Sequence, residues 1–104
     1  MKRVAFTMRL KPGNEEEYER RHDEIWPELV EELRGAGISD FDIYLAEDGV
    51  TLFATHLISD EAASSDQPGG PVQRRWWRAM ESLMETNPDT SPKAYPLRRV
   101  FHME

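Results

Sequence analysis

Tyr18 and His22 stand four residues apart in a charged, apolar-patterned stretch, a spacing that brings both side chains to one face of a helix. Imidazole, with an ordinary pKa of about 6.5, is the side chain best matched to moving a proton near neutral pH. A phenol beside it can donate or accept a hydrogen bond. General acid–base chemistry is what this pair suits. Trp26 continues the stripe, and a Tyr/His/Trp stripe equally suits packing in a core or an interface, the commoner use of such a face.

Trp76-Trp77 is the second unusual feature. Helical neighbours diverge by about 100°, so one indole can enter the core while the other lines a groove. An indole face suits the apolar C–H face of a sugar, and its N–H can bond a hydroxyl. Core packing plus a dimer contact is the alternative. Arg74, Arg75 and Arg78 flank the pair and could hold an anion. They also balance the acidic first helix, which favours a solvated face. His56 and His102 lie on separate strands with no HxH, HExxH or acidic-loop spacing, so no metal site is expected. Neither a Gly-rich phosphate loop nor a G-x-S-x-G elbow occurs.

These side chains must be positioned by a chain of 104 residues, which suits one domain over 1–104 with a small margin of stability. A net charge of -7 disfavours nucleic acid and anionic membranes as partners. Apolar runs are too short to span a membrane, and no signal-peptide stretch follows Met1. Cysteine is absent, which excludes disulfides, thiolate metal sites and cysteine nucleophiles. A cytoplasmic enzyme is the simplest expectation.

Residues 2 to 10 alternate and predict a half-buried strand with Val4, Phe6, Met8 and Leu10 on one face. Asn14 with Glu17 reads as a capping box opening a helix over about 15 to 35, which Pro27 should kink or restart near Trp26. Phe41 to Leu45 and Thr51 to Ile58 form a hairpin around Glu47-Asp48-Gly49. Residues 59 to 71 read as a loop with room for a short helical turn. Val72 to Met84 is helical, residues 87 to 92 are irregular, and Tyr95 to Met103 gives a last strand. The order β-α-β-β-α-β is ferredoxin-like: an α+β antiparallel sheet with both helices on one face. Pairing two such sheets as a dimeric α+β barrel would cover the other face.

Tyr18-Glu19-Arg20-Arg21-His22 followed by Ile25-Trp26-Pro27-Glu28-Leu29 resembles the L-rhamnose mutarotases. So do Ala5-Phe6, Met8, Leu52-Phe53-Ala54-Thr55, Arg75-Trp76-Trp77, Asn87-Pro88-Asp89 and Val100-Phe101, so the resemblance runs nearly end to end. It implies a homodimer without metal or organic cofactor, acting at the anomeric carbon of L-rhamnose or a closely related deoxy-hexose. It implies His22 as the proton donor, with Tyr18, Trp76, Trp77 and position 41 against the sugar. Two departures accompany it. Phe41 stands where the family commonly has tyrosine, which bears on sugar preference. Residues 60 to 71 lack the family's aromatic, helix-forming character, which bears on pocket closure.

The reaction expected is ring opening to the aldehyde, rotation about C1–C2 and reclosure on the other face. His22 would protonate the ring oxygen and then act as base on reclosure, while Tyr18 orients a hydroxyl or assists the second proton transfer. Two other functions fit the same elements: a cofactor-independent monooxygenase of the dimeric α+β barrel type, and a non-catalytic dimeric binding protein.

Overall fold

The computed structural model describes residues 1–63 and 69–104. Strand β1, Lys2–Arg9, realises the alternation: Val4, Phe6 and Met8 face inward, and Leu10 extends the row through a bridge to Met84. Strand β2, Ile38–Leu45, pairs with β3, Thr51–Ile58, which pairs with β1. Strand β4 is only Tyr95–Pro96, at the β1 edge, so the antiparallel sheet has the order β2-β3-β1-β4. Register decides the two faces, because cross-strand partners share one. Met8 lies opposite Leu52, Phe6 opposite Ala54 and Val4 opposite His56, which makes this the inner face.

The helical segment expected over about 15 to 35 restarts at Pro27, as its proline predicted, and so forms two helices. Helix α1 is Glu15–Asp23, and α2 is Pro27–Gly35 with Pro27 in its first turn. Proline's missing amide costs nothing at a helix start, while the residue before it is pushed to extended backbone. Trp26 accordingly has φ -64 and ψ 126. The capping box does not form. Asn14 Nδ2 donates to Lys11 O (3.0 Å), and Glu17 binds Arg20 and Arg21 instead of reaching back to the helix start. Two guanidiniums offer a carboxylate more than one backbone amide does, and they hold Glu17 at a pKa of about 2.

Asp60–Ala63 forms a short helix, α3, within the predicted loop; residues 64–68 of that loop lie outside the described residues. Helix α4, Pro71–Met80, tightens into a 3-10 turn over Glu81–Leu83, together covering the helix expected to Met84. Helices α1 and α4 supply Tyr18 and Met80 to a core completed by Met8, Leu10, Leu52, Ala54, Leu83 and Met84.

The last strand is much shorter than the Tyr95 to Met103 expected. After Leu97 N donates to Ala5 O (2.9 Å), residues 98–104 join no ladder. Val100, Phe101 and Met103 are 83%, 77% and 78% exposed. Alternation marks a segment suited to a sheet, but not which sheet edge receives it. Here the segment leaves the β1 edge after Leu97, although Lys2, Arg3 and Val4 are paired on their β3 side only.

Candidate active site

A cavity of about 660 Å³ opens between the inner sheet face and the helices. That is the size range of small-molecule sites. Tyr18, His22, Phe41, Trp76 and Trp77, the five residues singled out from the sequence, all line it. They arrive from three elements, α1, β2 and α4.

On α1 the i, i+4 spacing stacks Tyr18 on His22, with ring centroids 4.3 Å apart. His22 Nδ1 is 2.9 Å from the Tyr18 carbonyl. A carbonyl only accepts, so Nδ1 carries the hydrogen and Nε2 is left with a free lone pair. Burial lowers the pKa of His22 below its ordinary value, which keeps the ring neutral at neutral pH. Its resting form is therefore a base, and it becomes an acid only after taking up a proton. Tyr18 is buried, and burial pushes its phenol far above the ordinary range. It stays an O–H group, a hydrogen-bonding partner and a poor proton source.

Trp76 meets His22 edge-on at 5.3 Å and Trp26 edge-on at 5.1 Å. It thus links the two short helices of the first segment to α4. The two indoles divide only in part between core and groove. Trp76 packs against the core and Trp77 does not, yet both are half-buried and both line the cavity. Trp77 closes over Gly69, where an added Cβ would lie 2.7 Å from the indole. Helix α4 is fixed from outside itself. Its N-cap, Gly70, has no side chain to offer, and the Glu32 carboxylate on α2 accepts from Val72 N (3.2 Å) and Gln73 N (2.7 Å). Arg21 on α1 donates to the carbonyl of Ala79 near the other end.

Phe41 sits beside an irregularity in β2 between Ser39 and Asp42, where Asp40 has φ 49. Its ring lies 5.0 Å from that of His56. The Asp40 carboxylate is held by Arg3 at 2.5 Å. Arg74, Arg75 and Arg78 are exposed, as a solvated helix face requires.

His56 was not among the expected site residues, yet it lines this cavity at 8% exposure. The signal was present: Leu52, Ala54 and His56 occupy alternate positions of β3 and are its three buried residues. Ser91 and Pro92, from the irregular 87–92 segment, also contribute to the wall. No regular periodicity could have placed them there. Among the described residues, no group of three or more His, Cys, Asp or Glu side chains could hold a metal ion, and no helix is long and apolar enough to cross a membrane.

Residues 3–103 match the family model of L-rhamnose mutarotase. An L-rhamnose mutarotase of Acidiphilium cryptum is 53% identical over 103 residues, 99% of each chain. One of Rhizobium meliloti is 48% identical over 104 residues, the whole of both. The crystal structure of an L-rhamnose mutarotase from Formosa agariphila superposes with a TM-score of 0.86 at 38% identity over all of both chains. A Pseudomonas aeruginosa structure, with a TM-score of 0.59 and 21% identity over 95% of this chain and 93% of its own, shares the fold alone. This end-to-end likeness favours the mutarotase over the monooxygenase and binding-protein alternatives. The chain belongs to the L-rhamnose mutarotase family.

Proposed function

We propose that this protein interconverts the α and β anomers of L-rhamnose, with His22 as the proton-transfer group and residues 1–104 as one functional domain. The observation that carries the mechanism is His22, pinned through Nδ1 with Nε2 left free, on a sugar-sized cavity walled by Trp76 and Trp77. Nε2 takes the proton of the anomeric hydroxyl. The ring C–O bond breaks as the carbonyl forms, and the imidazolium returns that proton to the departing ring oxygen. Both oxygens sit on one carbon, so one nitrogen can serve each in turn; rotation about C1–C2 then presents the other carbonyl face to the ring oxygen, and reclosure runs the proton transfers backward. Tyr18 orients a hydroxyl. An indole face holds the apolar side of the sugar.

The test is exchange between the α and β H1 signals in proton NMR. His22→Ala should slow it by at least about 10²-fold with an unchanged melting temperature. Near-normal exchange in a folded variant would remove His22 from the mechanism.

A homodimer is part of the proposal. Tyr44 pairs with Phe53, Phe53 with Thr7 and Thr7 with Tyr95, so three aromatic rings form a row on the outer sheet face. They are 61%, 42% and 49% exposed. A second sheet laid on this row, with the apolar residues of the 98–104 segment, would bury what one chain leaves in water. A cytoplasmic place in carbohydrate metabolism completes the reading, on the acidic, cysteine-free composition.

A further inference from the structure

Apart from the Tyr18 phenol, His56 is the one polar side chain among the described buried residues, and the proton transfer above does not use it. It lies between two rings, Phe41 at 5.0 Å and Phe6 edge-on at 6.0 Å. A purely apolar side chain would fill such a place without the cost of burying two ring nitrogens. Among the described residues, only one of them has a partner. Nδ1 lies 3.2 Å from the Leu57 carbonyl and donates to it. That leaves Nε2 as an acceptor, with no hydrogen-bond partner among the described residues. No sealed side-chain nitrogen or oxygen lacks a partner there either, so Nε2 is open to the cavity. Burial also lowers the pKa of the ring, which preserves the lone pair at neutral pH.

We infer that His56 Nε2 accepts a hydrogen bond from a hydroxyl of the bound sugar and sets which hydroxyl pattern the pocket prefers. The inference rests on the mutarotase reading and deepens it. Phe41, beside His56, has no polar atom in its side chain to offer. Recognition at this wall therefore falls to the imidazole, while His22 acts at the anomeric carbon from α1.

Two variants test this: His56→Val, which removes the acceptor on a residue suited to a strand, and His56→Gln, which restores a carbonyl acceptor. Anomer exchange is measured by NMR on L-rhamnose and on its monodeoxy and epimeric relatives, with KM and kcat separated. A neutral hydrogen bond is worth about threefold to tenfold. His56→Val should raise KM for L-rhamnose by that factor, with the loss falling on KM more than kcat. His56→Gln should recover part of it. For one monodeoxy sugar, which lacks the facing hydroxyl, parent and His56→Val should have the same KM. Independently of either variant, the ¹⁵N resonance of Nε2 in the parent should move when L-rhamnose is added.

An unchanged KM for every sugar, or an equal loss on every sugar including all deoxy forms, would overturn the inference and leave His56 as packing. So would an Nε2 resonance that does not respond to sugar. A parent protein that accelerates exchange of no sugar would overturn the mutarotase reading, and this role with it.

Discussion

Gly70 and Glu32 should behave as one unit, although they lie on different elements. The Glu32 carboxylate accepts from Val72 N and Gln73 N and so caps α4 from α2. Losing a cap costs about 1 kcal/mol, and removing a negative charge from a helix start costs about 0.3–1 kcal/mol more. Glu32→Ala should therefore destabilise by about 1–2 kcal/mol, lowering the melting temperature by about 5–15 °C in a domain of this size. A Cβ at Gly70 would stand 2.3 Å from Glu32 Oε1. Gly70 has φ -70, which any residue adopts, so alanine there brings no backbone strain. It evicts the carboxylate instead. Gly70→Ala should cost about as much as Glu32→Ala, and the double variant no more than either alone. The coupling read from a double-mutant cycle is then about 1–2 kcal/mol. Denaturant and thermal unfolding of the four proteins measure it. Because α4 carries Trp76 and Trp77, each single variant should also raise KM for sugar. Costs that add to within about 0.5 kcal/mol would refute the capping argument.

Burial places His22 and His56 below the ordinary histidine value of 6.5. The proton-accepting form of His22 exists above its own pKa, so exchange should be flat through neutrality and fall on an acid limb centred below 6.5; a limb at or above 6.5 would contradict it. Stability has the same sign. The unfolded chain takes up these protons first, so this contribution is complete above 6.5 and lost as pH falls through the folded values, which acid titration of the melting temperature follows. Phe41→Tyr adds a hydroxyl at the cavity wall beside His56 and should lower KM for L-rhamnose by a factor of about 2–10, the worth of one hydrogen bond. Unchanged kinetics on every sugar would remove position 41 from recognition. Phe53→Lys puts a charge in the middle of the outer aromatic row, and light scattering should drop from twice the 12.1 kDa chain mass to the single chain. A persistent dimer would place the interface elsewhere.

Elements whose signals are local were legible before any folding was considered. Alternation marked β1, a run of β-branched and aromatic residues marked β3, Gly49 with Asp48 marked the hairpin turn, and Pro27 marked the break between α1 and α2. The i, i+4 spacing brought Tyr18 to His22 without help from the rest of the fold. Family likeness, written along the whole chain, pointed to the sugar and to the pairing of Tyr18 and His22 with Phe41, Trp76 and Trp77. Tertiary structure decided what depends on partners distant in sequence. Asn14 was a plausible cap, but Glu17 found two arginines and α4 took its cap from Glu32, 40 residues away. A last strand over Tyr95 to Met103 was expected, yet the chain leaves the β1 edge after Leu97, and the apolar residues beyond it stay exposed. His56 read as one strand histidine among others. Only the register of β3 against β1, and the cavity the helices leave over that face, turned its imidazole toward the site. Spacing along a chain fixes which side chains share a face. It does not fix what that face meets, because contacts between elements are set by packing the whole sheet against the whole helical layer.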